Sequence, residues 1–126
     1  MNENTERKNP YTLVVYPDGH YTMMSDKELY VAFYHLIDGR EKFLEMKKVP
    51  GTDNAYFLIP EENPARFEGA LYYKAPALVV AINEEKGKIT DLKPAQIKTA
   101  LEFFNSIALV VERRNQVKYV FCLAED

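Results

Sequence analysis

Two histidines, His20 and His35, and one cysteine, Cys122, are the whole stock of imidazole and thiol groups in the chain. Metal ligation by nitrogen and sulfur needs several such groups at short spacing, as in two histidines one helical turn apart or paired cysteines. Neither arrangement occurs, so no metal site and no cofactor is expected. Asp18 and His20 flank Gly19, and Asp26 follows. At most these three suggest a weak surface ion site, or an acid–base pair for a small hydrolase or nuclease. A turn aspartate beside an exposed histidine is more ordinarily structural.

Nucleophilic chemistry has little to work with. A reactive thiol needs an electropositive, accessible setting and a base within reach. Cys122 lies between Phe121 and Leu123 in a strand-like run, where cysteine acts as a small apolar residue. Alternation places Val117, Tyr119, Phe121 and Leu123 on one face and Lys118, Val120 and Cys122 on the other. His35 falls on the polar face of a predicted helix, a solvated position. The five glycines do not form a phosphate loop or a dinucleotide fingerprint. Glu61-Glu62 and Glu84-Glu85 are neighbours in loops and read as solvated charges, not as a converging acid and base. Nothing in the sequence requires an enzyme.

Binding chemistry is better represented. Arg40, Lys42, Lys47 and Lys48 surround one predicted hairpin, and Arg113, Arg114 and Lys118 surround another. If the hairpins occupy related places they make one cationic patch for nucleic acid or a phosphate ligand such as a nucleotide, with aromatic rings at hand to stack on bases. The structural alternative is that these charges guard edge strands. Phe67, Tyr72 and Tyr73 lie in a connector with Glu61, Glu62 and Glu68, a mixture suited to protein–protein recognition.

The elements that must hold these residues follow from turn chemistry and periodicity. Residues 1–10 are polar, end in Pro10 and read as a tail without a secretory signal. Residues 11–16 and 20–24 are β-rich and flank Pro17-Asp18-Gly19, a hairpin signal. Ser25 and Glu28 form a capping-box pair opening a helix over residues 25–38, closed by Gly39. Two further strands, 43–49 and 55–59, flank a longer turn. Residues 60–76 are a connector with one strand at 67–73. Strands at 77–82 and 88–90 precede a second helix that opens at Pro94, a residue suited to a first helical position. Ile97, Ala100, Leu101 and Phe104 form its buried arc. A final hairpin joins 107–113 to 116–123 through Arg114-Asn115.

Two halves, 11–59 and 77–123, share the order ββαββ. Leu13–Val15 matches Leu78–Val80, and Leu29, Ala32, Phe33 and Leu36 match Ile97, Ala100, Leu101 and Phe104. The expected fold is α+β: an antiparallel β-sheet with two α-helices, a duplicated ββαββ unit with pseudo-twofold symmetry in one domain over 11–126.

Composition bounds the function. The 126 residues carry 16 Lys and Arg against 19 Asp and Glu, a net charge of −3 that excludes a general nucleic-acid coater. Hydrophobic residues make up 47%, enough for a packed core. The longest apolar runs fall far short of the roughly 20 residues that cross a membrane. The first expectation is a small, non-enzymatic, cytoplasmic binding protein docking on a protein partner through Phe67, Tyr72 and Tyr73. The alternative is nucleic-acid or phosphate-ligand binding through Arg40, Lys42, Lys47, Lys48, Arg113, Arg114 and Lys118. Homo-oligomers through the edge strands 43–49 or 116–123 are compatible with either.

Overall fold

A computed structural model describes residues 10–25, 27–28, 46–61 and 63–125 of the protein. β1 (Thr12–Val15) and β2 (Tyr21–Met24) form the first hairpin, with Thr12 opposite Met24 and Val15 opposite Tyr21. Gly19 takes a φ of 100°, a backbone state that residues with a Cβ rarely adopt, and its amide donates to the Tyr16 carbonyl at 2.9 Å. The predicted first helix, its cap Gly39 and the start of the 43–49 strand lie outside the described residues, except that Lys27 and Glu28 are helical.

β3 (Lys47–Lys48) and β4 (Ala55–Leu58) pair antiparallel across the longer turn. Thr52 ties that turn by donating its hydroxyl to the Val49 carbonyl at 2.7 Å. The connector departs from the expected single strand. It holds two short strands, β5 (Ala65–Phe67) and β6 (Ala70–Tyr73), paired antiparallel. Glu68 and Gly69 reverse the chain between them with φ of 49° and 80°. A turn with positive φ at both central residues matches strand twist and needs only two residues.

β7 (Ala77–Asn83) and β8 (Lys88–Thr90) follow as read from the sequence. Asn83 closes their turn by accepting the amides of Glu85 and Lys86 at 3.1 and 3.2 Å. The helix α1 (Pro94–Ile107) begins at the expected proline. The Gln96 side chain accepts the Lys93 amide at 2.8 Å and donates to the Asp53 carbonyl at 2.9 Å, capping the helix and docking it on the 49–54 turn. β9 (Ala108–Arg113) continues directly from α1, and β10 (Gln116–Ala124) returns beside it.

These strands make two sheets of α+β type, both antiparallel. The first has the order β2-β1-β7-β4-β3, with β8 also on β7; the second is β5-β6-β10-β9. β7 is buried on both faces because it is central. Ala77, Val79 and Ala81 enter the main core, while Val80 and Ile82 join Leu58 and Ile89 in a smaller cluster on the other face. The main core joins Leu13, Val15 and Phe57 of the first sheet to Ala100 and Phe104 of α1 and Phe121 of the second sheet. Phe104 lies edge-on to Phe57 at 5.0 Å and tilted against Phe121 at 5.3 Å.

Pro94–Ile107 is the one helix described in full, and of the predicted first helix only Lys27 and Glu28 fall among the described helical residues. The match of Leu13–Val15 to Leu78–Val80 also exchanges faces, because Leu13 and Val15 enter the main core whereas Leu78 and Val80 belong to the smaller cluster. A one-residue shift of register moves every side chain of a strand to its other face, so this correspondence does not superpose the two strands. The hairpin β3–β4 lies in the first sheet and β9–β10 in the second.

Candidate functional site

Alternation along the second sheet sorts its side chains. Phe121 and its partners Tyr73 and Ala108 face the core, so Val120, Lys118 and Gln116 face outward with Tyr72, Val111 and Arg113. That outer face carries a groove of about 690 Å³, floored by Ala65, Val111 and Val120. Lys74, Arg113, Arg114 and Lys118 line it with Tyr72 and Gln116, and no carboxylate is among the described lining residues. None of the four cations is in an ion pair with a described residue. An apolar floor under unneutralised cations favours a ligand with both a flat or apolar part and negative charge.

Tyr72 stands opposite Cys122 on the neighbouring strand. Partial burial, then the Cys122 thiol and the Glu68 carboxylate, push its phenol above the ordinary range, so it remains a neutral hydroxyl donor. Cys122 is half-buried in this pair, with no histidine recorded beside it among the described residues.

The residues singled out from sequence scatter. Arg113, Arg114 and Lys118 converge on the groove, as does Tyr72. Tyr73 does not join Tyr72: adjacent positions point to opposite faces, and Tyr73 packs against the main core. Phe67 is 63% exposed at the β5–β6 turn. Lys47 and Lys48 sit on β3 at an edge of the first sheet. Arg40, Lys42 and His35 lie outside the described residues. Lys74 was missed by sequence reading, because strand alternation beyond Tyr72 is the only signal that assigns it to this face.

The Asp18–His20 pair is a turn device. Asp18 Oδ1 accepts both the His20 amide, at 3.0 Å, and the His20 ring Nδ1, and the His20 ring stacks on Tyr16 with centroids 4.0 Å apart. The amide bond, more than the ring, holds the Asp18 carboxyl below its usual range. Both side chains are largely exposed.

A second depression of about 490 Å³ lies between the β7–β8 turn and the start of α1. It mixes Glu84, Glu85 and Asp91 with Lys93. Glu84 accepts the Tyr56 hydroxyl, and this bond raises the Tyr56 phenol above its normal range. Its three carboxylates outnumber the single lysine, so the depression is acidic and does not suit an anionic ligand.

Among the described residues no cluster of three or more His, Cys, Asp or Glu could hold a metal ion, and no helix is long and apolar enough to cross a membrane. Comparison with family models, curated proteins and solved structures gives no match to this chain.

Proposed function

We propose that the protein is a non-enzymatic cytoplasmic binding protein whose outer second-sheet face holds single-stranded nucleic acid. The observation that carries this reading is the meeting of Lys74, Arg113, Arg114 and Lys118 with Tyr72 around one groove, with no carboxylate among its described lining. Phosphates would lie along the four cations while a base stacks on the Tyr72 ring, a combination that binds strands without reading sequence. The net charge of −3 fits a local site rather than a coating surface.

Fluorescence anisotropy with a labelled single-stranded oligonucleotide tests it. Each neutralised phosphate adds about −0.7 to the slope of log affinity against log salt, so four contacts give about −3. Arg113→Ala should flatten that slope by one contact, whereas Lys48→Ala, on the other sheet, should leave it unchanged. Tyr72→Ala should weaken binding by about 1–3 kcal/mol at every salt concentration. No binding at low salt would remove the proposal.

Docking on a protein partner is a second reading, favoured by the 63% exposure of Phe67 at the β5–β6 turn. It predicts a captured protein that survives nuclease treatment and is lost with Phe67→Ala.

A further inference from the structure

We propose that β9 is a pairing edge at which two copies of the chain join antiparallel around Val110, fusing two four-stranded sheets into one of eight strands. The terminal strands of the two sheets differ in how well they are protected. β3 has two residues, both lysines; β5 has three and follows Pro64; β2 has four, Tyr-Thr-Met-Met. Short strands, lysine and proline all discourage pairing with another chain. β9 has six residues, opens Ala-Leu-Val-Val, and no described strand pairs with its outer side. Leu109, Val110 and Val111 are 43%, 62% and 42% exposed, and Val117 and Tyr119 behind them on β10 are 53% and 45% exposed. Such an edge is a template for another strand.

The hairpin turn fixes which backbone groups face outward. Arg114 and Asn115 have φ of 50° and 66°, the signature of a two-residue turn that closes on a hydrogen-bonded pair, here Arg113 with Gln116. Hydrogen-bonded pairs alternate along an antiparallel ladder, so Val111–Lys118 and Leu109–Val120 are the next two. The amides and carbonyls of Ala108, Val110 and Glu112 therefore point away from β10, towards a new neighbour.

A twofold perpendicular to the sheet keeps faces matched, so only residues of equal parity can oppose each other. Centring it on Val110 sets Val110 against Val110 of the second copy, Leu109 against Val111, and Ala108 against Glu112. All three outward-facing residues then find hydrogen-bonded partners, and the exposed apolar side chains meet one another.

Charge favours the same arrangement. Glu112 is the ionised residue within 108–112. The antiparallel register separates the two copies of it by four strand rises, about 14 Å at 3.4 Å each, whereas parallel pairing sets them side by side. The register also brings Arg113 level with Ile107 of the second copy, the last residue of α1.

Val111 and Arg113 line the groove as well as the edge, so both grooves open side by side on one face of the dimer. That consequence rests on the proposed function; the pairing does not.

Sedimentation of the full chain without nucleic acid tests the pairing. The expected result is a dimer that Val110→Lys weakens at least 100-fold while far-ultraviolet circular dichroism stays unchanged. Tyr21→Lys, on β2, should leave it intact. In a Cys122→Ser background, Val110→Cys should form an inter-chain disulfide under mild oxidation, since opposed Cα atoms of such a pair lie about 5.5 Å apart. Glu112→Cys should not. A monomer at about 100 μM, or a dimer in which Val110→Cys fails to cross-link, overturns the proposal whatever the oligonucleotide assay shows.

Discussion

Glu61 shows what a single side chain can do beyond its local sequence. Read beside Glu62 it is a solvated loop charge, yet its Oε1 accepts the amides of Lys74 and Ala75 at 2.8 and 3.0 Å. It thereby ties the start of the connector to its end, where the chain passes from β6 towards β7. The partners lie 13 and 14 residues away, so no local pattern announces them. Hydrogen bonds to an ionised acceptor contribute about 1.5–3 kcal/mol, and partial solvent access favours the lower end. Glu61→Ala is therefore expected to lower unfolding free energy by about 1.5 kcal/mol in urea titrations, against less than about 0.5 for the exposed Glu85→Ala. Equal effects of the two substitutions would show that the carboxylate is not a fastener. Tyr72 and Tyr73 teach the companion lesson: adjacent in sequence, they serve opposite faces, one in the groove and one against the core.

Among elements, α1 connects the two sheets. Its apolar arc was legible because Pro94 marks the start and Ile97, Ala100, Leu101 and Phe104 repeat at helical spacing. Which partners that arc meets was not legible: Phe104 touches Phe57 of the first sheet and Phe121 of the second. Replacing a fully buried phenylalanine by alanine typically costs about 3–5 kcal/mol. Phe104→Ala should show a loss of that size in chemical denaturation, and Glu102→Ala, on the exposed face, less than about 0.5. A loss under about 1 kcal/mol for Phe104→Ala would mean that the helix is not what joins the sheets. Where the sequence misled, a nonlocal cause is visible. The β5–β6 hairpin hid behind Glu68-Gly69, because glutamate seldom takes positive φ and gives no turn signal of its own. Likewise the basic hairpins were readable as charge clusters, but sheet membership decides which cations meet. Lys47 and Lys48 went to the first sheet, while Lys74 reached the groove from just past the end of β6, a segment with no other basic residue to mark it.

Taken as a whole molecule, the two sheets have little reason to melt apart. The main core runs without a break from Leu13 and Val79 through Phe104 to Phe121, and all four are fully buried. α1 passes into β9 with no intervening loop, so the helix that covers the first sheet is covalently rigid with the second. Small domains with one shared core usually unfold in a single transition, and sub-global opening needs a unit whose burial can be lost separately. Native-state hydrogen exchange is therefore expected to give one opening free energy for protected amides at the centres of β7 and β10. Phe104→Ala should lower both by the same amount. If amides of β10 instead opened at lower cost and those of β7 were unmoved by the substitution, the second sheet would be an independently opening unit. That outcome would also bear on the groove, because Lys118 and Val120 lie on β10 and hold their positions only while its opposite face is pinned by Phe121. Coupled exchange means that the groove is as rigid as the core beneath it, so a strand bound there meets a preformed surface.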